Sequence, residues 1–317
     1  MSDPVHSAQS VRSAQSVGSA QSVRSVGSVH PVGAVHPARA LWWLFEPVYA
    51  VTFLQPESRA AFEALGLDGS WRGYFAARSA PLGAVGVLGA PPVTAAFFSF
   101  APALVERALP AVWAHASPGQ ALAARTEASA AVLARLLSEV PSEQVEAAAT
   151  ALERAAARAD CAGRVLAAAN AALPRPADAY GRLWQAATVL REHRGDGHVA
   201  ALVAAGLDGC EAPVLHCATG ASRQVLQPMR GWTDDEWDAA GARLVERGWL
   251  TADGTVTELG RIRHQALEDA TDLAAARPWE GLPDGELDRM TAALRPLAAI
   301  CRAQMPIDPL AMPAVRP

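Results

Sequence analysis

Beyond residue 39, apolar residues recur every third or fourth position over most of the chain, the period of amphipathic helices rather than the alternation of strands. The second half is the easier to divide. Asp178 opens a helix from Ala179 to His193, the Arg194-Gly195-Asp196-Gly197 run reads as its break, and a further helix spans His198 to Ala205 before Gly206. Another covers Cys210 to Cys217. Thr233-x-x-Glu236 is a capping box, opening a helix to Arg247 that carries Trp237, Ala240, Leu244 and Val245 on one face and ends at Gly248. Trp249 to Thr251, then Asp253-Gly254, then Thr255 to Thr257 predict a short hairpin, since Asp-Gly supplies the positive φ of a type I′ turn. A helix from Glu258 to Arg277 follows. The last three helices before the hairpin, the hairpin and the helix after it give the order of a winged helix, with the hairpin as wing and Thr233 to Arg247 at the recognition-helix position.

Self-similarity extends this reading to the first half. Gly66-Leu67-Asp68-Gly69 returns as Gly206-Leu207-Asp208-Gly209, and Leu104-Val105-Glu106-Arg107 returns as Leu244-Val245-Glu246-Arg247, both at an offset of 140. The expectation is an all-α fold with a short β wing: tandem duplicated winged-helix-like repeats joined by a long helix. The predicted division is a low-complexity disordered tail at 1–39, a first repeat at 40–138, a connecting helix at 139–177 (Ser142 to Leu173), a second repeat at 178–280, and a C-terminal helix and tail at 281–317. In the first repeat, Pro110 to His115 stands where the wing would be, as a weaker strand signal. Asp284 to Gln304 forms the last helix.

Composition narrows the function classes. All 27 basic residues are arginine, and 32 acids leave a formal charge of -5, so the chain is not a generic polyanion binder. The tail, with SAQSVR-type repeats and no aromatic residue, lacks the apolar surface to offset ordering entropy. No basic start precedes an uninterrupted apolar core, so a secretory signal is not expected. Four scattered cysteines, 161, 210, 217 and 301, make no disulfide framework and no zinc spacing, which favours a cytoplasmic location with no metal and no cofactor. Ser79 to Val105 carries no charge, yet its four prolines and three glycines predict a buried helix-turn stretch rather than a membrane span. Parallel-sheet nucleotide folds are excluded by the near-absence of strand signals.

Tyr74-Phe-Ala-Ala-Arg78-Ser-Ala-Pro81-Leu-Gly83, the segment Leu190 to His198 and the Glu268-x-x-Thr271-Asp272 helix together resemble the actinobacterial SalK-like helix-turn-helix family over residues 41–280. The resemblance implies a helix-turn-helix label and a tandem winged-helix fold. It implies no catalytic residues.

Two sets of residues carry the chemistry. For DNA the available cations are Arg223, Arg230, Arg243, Arg247, Arg261 and Arg263, but the recognition-helix position begins with Asp234, Asp235, Glu236 and Asp238, which phosphates repel. Those acids also have a plain structural use, since carboxylates stabilise a helix N-terminus. The other set is a polar cluster: Arg191, Glu192, His193, Arg194, Asp196 and His198, with Glu211 and His216 one helix later, Glu268 and Asp272 at i and i+4, and Tyr74, Arg78, His115 and Arg125 from the first half. Such a network suits a polar or anionic small molecule, or a histidine acting as a base. It equally suits salt bridges tying one helix to the next. The favoured reading is a small-molecule-responsive regulator with weak or indirect DNA binding. The alternative is an enzyme or accessory protein of specialised metabolism with a polar pocket between the repeats.

Overall fold

The computed structural model describes residues 35–85 and 87–306; the tail assigned to 1–34 and the end from 307 lie outside the described residues. Among the described residues, fourteen α-helices follow in chain order. They are α1 (Pro37–Leu54), α2 (Pro56–Glu63), α3 (Ser70–Ser79), α4 (Ala90–Phe97), α5 (Pro102–Glu106), α6 (Pro118–Leu136), α7 (Ser142–Ala156), α8 (Val165–Ala171), α9 (Ala179–Ala204), α10 (Glu211–Ala218), α11 (Arg223–Arg230), α12 (Asp234–Glu246), α13 (Glu258–Ala274) and α14 (Glu286–Ala303).

Helix α9 organises the rest. Its 26 residues are buried on several sides, by α1, α6, α7, α8 and α13, which is why it shows no single apolar stripe. One apolar cluster gathers around its first half, with Phe45, Trp184, Leu152 and Leu297; its last turns enter another, with Leu202, Leu215, Trp237, Leu244 and Leu267. A further cluster, with Phe75, Phe97, Phe100 and Leu109, lies under α3 to α5.

The structure corrects five expectations. No β wing forms: among the described residues there is no strand, only an isolated antiparallel bridge between Leu250 and Val256 around a turn in which Gly254 has φ 82°. A single bridge leaves too few ladder bonds to make a sheet. Pro110 to His115 holds a 3₁₀ turn at Ala111–Ala114, not a strand. The Arg194 to Gly197 run is not a break, because α9 continues through it. Gly197 serves close packing there: a Cβ would lie 2.6 Å from Arg164 Nη1 and 2.9 Å from Ala274 Cβ. The connecting helix is interrupted between α7 and α8, where Gly163 takes φ 70°. Finally, α1 begins at Pro37, inside the segment assigned to the tail.

The two Gly-Leu-Asp-Gly segments begin in similar turns, whereas Leu104 to Glu106 lies in the five-residue α5 and Leu244 to Glu246 ends the thirteen-residue α12. Gly66 has φ 75° and Gly206 φ 70°; Leu67 N donates to Phe62 O and Leu207 N to Leu202 O, and both leucines are buried. Ser117 and Thr257, also 140 apart, cap α6 and α13.

Candidate functional site

Where α9 passes between the α3–α5 region and the α10–α13 region, a cavity of about 290 Å³ opens. Seven residues of the polar cluster singled out from sequence line it: Tyr74, Arg78, Arg191, Arg194, His198, His216 and Glu268. Arg39, Trp42, Phe97, Phe98, Phe100, Arg230, His264 and Thr271 join them. Its wall is therefore cationic and aromatic at once.

The carboxylates stand mainly behind this wall and set the arginines in place. Glu192, 1% exposed, accepts from Arg78 at Nε (3.0 Å) and Nη2 (2.9 Å), from Arg191 Nη1 (3.1 Å) and from Tyr49 Oη (3.3 Å). Burial pushes its carboxyl up, but Arg78 and Arg191 outweigh that and hold it at about 2. Arg78 also donates to Tyr74 Oη (3.0 Å) and lies 4.2 Å over the Phe97 ring. Asp272 of α13 receives Nη1 of Arg194 on α9 (2.8 Å) and Arg39 Nε (2.8 Å), and Arg39 also pairs with Glu268 (3.4 Å). Arg194 stacks on Trp42 at 4.9 Å.

Three histidines, His198 on α9, His216 on α10 and His264 on α13, face the same space. Burial, reinforced by Arg194, lowers His198 to about 4; burial, reinforced by His264, does the same to His216. Burial also lowers His264. Neutral imidazoles follow at physiological pH. The Thr271 hydroxyl donates to Leu267 O (2.8 Å), so at its 2.9 Å contact with His198 it accepts, and His198 must carry its proton on Nδ1. That leaves His198 Nε2 as an acceptor. His216 Nε2 is buried with no hydrogen-bond partner.

Arg230 stands apart from the other arginines. It comes from the last turn of α11, its guanidinium lies 4.5 Å over the Phe100 ring, and it has no ion pair or side-chain hydrogen bond among the described residues. Burial lowers it to about 10, which leaves it charged at neutral pH.

The remaining candidates fall elsewhere. Asp196 accepts from Leu166 N (3.0 Å) and Ala167 N (2.9 Å), starting α8, and burial pushes it up to about 6. Glu211 binds Arg243 (2.9 Å) and Arg247 (2.7 Å), away from the cavity. Arg125 is buried, donating to Ala77 O (3.1 Å) and Asn170 Oδ1 (3.1 Å) and lying 5.0 Å over Trp184. His115 packs against the Gly66 turn. His193 lies on α9 with its Nε2 unpartnered, and burial lowers it to about 4.

The cations proposed for DNA are mostly committed. Arg223 pairs with Asp234 (3.1 Å) and Asp238 (3.2 Å), Arg243 and Arg247 with Glu211, and Arg261 with Glu258 (3.0 Å). Arg230 turns into the cavity. Arg263 is exposed and shows no ion pair among the described residues. The Thr233 capping box forms as expected, so the acids of α12 also serve its N-terminus.

Sequence reasoning missed Arg39, placed in the tail, and the aromatic wall of Trp42, Phe97 and Phe100. It also missed His264, which a period-of-four reading of α13, His264, Glu268 and Asp272, shows as one helix face. No helix among the described residues is long and apolar enough to cross a membrane, and no group of three or more His, Cys, Asp or Glu among them is placed to hold a metal ion.

Against known proteins, the sequence model of a helix-turn-helix family matches residues 38–307. No curated protein matches this chain, and no solved structure does.

Proposed function

We propose that this chain, which belongs to that helix-turn-helix family, is a small-molecule-responsive regulator whose ligand sits in the cavity beside α9. Family membership points to a DNA-binding helix-turn-helix protein. The finer reading makes that binding weak or indirect, because α12 opens on exposed acids and its nearby arginines are already paired. The observation that carries the ligand reading is the cavity itself. Seven polar residues far apart in sequence converge there with an aromatic wall, at a volume close to the lower bound of about 300 Å³ for small-molecule sites.

The wall is also joined to the turn between α11 and α12. Phe98 lines the cavity at φ 53°, a conformation that costs a non-glycine residue free energy. Next to it, Ser99 O accepts from Trp232 Nε1 (3.0 Å), and Ala101 N donates to Arg230 O (2.8 Å). A ligand against Phe98 and Phe100 therefore touches the segment hydrogen-bonded to the end of α11 and the turn before α12. The offset of 140 and its similar turns support reading the two halves as copies of one helical unit. The motifs around Tyr74, Arg191 and Glu268 support the narrower actinobacterial SalK-like likeness. Four free thiols, Cys210 and Cys301 among them buried, support a cytoplasmic setting.

A second reading, an enzyme or accessory protein of specialised metabolism, draws on His198 Nε2 as an available base in the same cavity. The two separate in one experiment. A small molecule is extracted from the purified protein and returned to it, and DNA fragments from upstream of its gene are followed by gel shift at two salt concentrations. A regulator returns the molecule unchanged and its DNA band responds to it; chemical turnover with no DNA response favours the enzyme.

A further inference from the structure

Charge counting around the cavity leaves one guanidinium over. Five arginines line it, Arg39, Arg78, Arg191, Arg194 and Arg230. Four carboxylates hold them: Glu192 takes Arg78 and Arg191, Asp272 takes Arg39 and Arg194, Glu268 reaches both of the latter, and Glu46 lies 3.7 Å from Arg191. Five against four leaves a surplus of one positive charge, and it belongs to Arg230, the member with no carboxylate. Arg230 is half-buried, and a charge partly withdrawn from water beside an aromatic ring loses solvation unless something pairs with it. Nothing in the described chain does.

The surroundings of Arg230 select the body of its counter-ion. Phe100 lies under the guanidinium at 4.5 Å, and Phe97, Phe98, Leu215 and Leu226 continue the wall as apolar surface. A free inorganic anion would bury its charge against hydrocarbon and leave those side chains without a partner. A doubly charged phosphate would convert the surplus positive charge into a deficit. On the same lining, the neutral His198 has a lone pair on Nε2, its proton being held on Nδ1 by Thr271.

From this, and resting on the reading of the cavity as a ligand site, we infer that the ligand class is a compact aromatic monocarboxylate, its carboxylate paired with Arg230 and a hydroxyl or amide donor directed at His198 Nε2. The pairing would be a charge-assisted, two-point contact of the kind a guanidinium fork makes with a carboxylate. It also gives the ligand a hold on α11 at the residue before its Gly231 cap, beside the turn that leads to α12.

The test is a calorimetric titration of the full chain with 1-naphthylacetate and with its neutral amide, 1-naphthylacetamide, alongside inorganic phosphate. The expected result is that the acid binds about tenfold or more tightly than the amide, the scale of one charge-assisted contact, with no heat from phosphate. In Arg230→Gln the two affinities should converge, and Arg230→Lys should restore part of the gap. The thermal midpoint of Arg230→Gln, expected equal to or above that of the parent, shows that the loss is not unfolding. Equal binding of acid and amide to the parent overturns the carboxylate assignment and leaves the ligand site standing. A gap that survives in Arg230→Gln likewise overturns it. Binding of phosphate alone overturns the aromatic class. Absence of binding by all three probes overturns both this inference and the ligand reading of the cavity.

Discussion

Arg78 grips Glu192 through two parallel hydrogen bonds, Nε to Oε1 at 3.0 Å and Nη2 to Oε2 at 2.9 Å, across 114 residues of sequence. Both side chains are buried, so this fork fixes α3 against α9 and sets one wall of the cavity. Because Glu192 also holds Arg191, removing its charge strands two guanidiniums. Glu192→Gln is expected to lower stability by about 3–5 kcal/mol in urea unfolding, the usual cost of breaking a buried pair on one side. The double variant Arg78→Met with Glu192→Gln should recover part of that loss. A single-variant cost below about 1 kcal/mol would mean that the fork adds little to the native state.

The two glycines of the Arg194 to Gly197 run should respond in opposite ways. A Cβ on Gly197 meets Arg164 Nη1 at 2.6 Å and Ala274 Cβ at 2.9 Å, and Arg164 is anchored by its bonds to His193 O and Ala274 O, both 2.7 Å. Gly197→Ala is therefore expected to cost about 1–3 kcal/mol by forcing α9 from α13. At Gly195 the nearest atom is 3.6 Å away, and Gly195→Ala should be neutral or stabilise by up to about 1 kcal/mol, since glycine weakens a helix interior. Equal effects at the two positions would contradict the packing described here.

Acid should destabilise the fold in a defined window. His193, His198 and His216 are each lowered to about 4, burial being the first cause in all three, against an unfolded value of about 6.5. Between those values the unfolded chain binds three protons that the folded chain does not, so stability rises with pH there. Asp196, pushed up to about 6 by burial, binds one proton in the folded state and opposes the trend from about 3.9 to 6, leaving a net difference of about two protons. Glu192, held at about 2, adds its own loss as pH falls below about 4.3. The urea midpoint is expected to be lower at pH 5 than at pH 7. An equal or higher midpoint at pH 5 would place these histidines in contact with solvent.

DNA affinity should depend only weakly on salt. With Arg223, Arg243, Arg247 and Arg261 in ion pairs and Arg230 in the cavity, few cations remain for phosphates, Arg263 among them. Each phosphate contact contributes about 0.9 to the slope of log K against log salt, so a slope of about 1 to 2 in magnitude is expected from gel shifts. A slope of about 6 or more would show that the acidic face of α12 is not what meets DNA.

Local signals survived from sequence to structure where a few neighbouring residues decide the outcome. Thr233 with Glu236 forms its capping box, and Asp178 caps α9 through Gly181 N (2.9 Å). The readings that failed depended on distant partners. Two glycines within four residues look like a break, but α1, α6, α7, α8 and α13 bury α9 and carry it through, so tertiary packing overrides propensity. Asp253-Gly254 makes its turn, yet the flanking residues pair only once and no wing results. At the site, Arg191, Arg194 and His198 stood out because polar residues crowd one segment. Arg39, Phe97 and His264 did not, because their roles depend on chain segments distant in sequence meeting at α9.

The most direct measurement is native mass spectrometry of the full chain beside Val199→Trp, which places an indole in the cavity from α9. The account predicts that the parent protein, incubated with 1-naphthylacetate, carries one bound molecule, and that Val199→Trp carries none while its thermal midpoint is unchanged or raised. Equal occupancy of the two proteins would put the ligand elsewhere and contradict the cavity as the functional site.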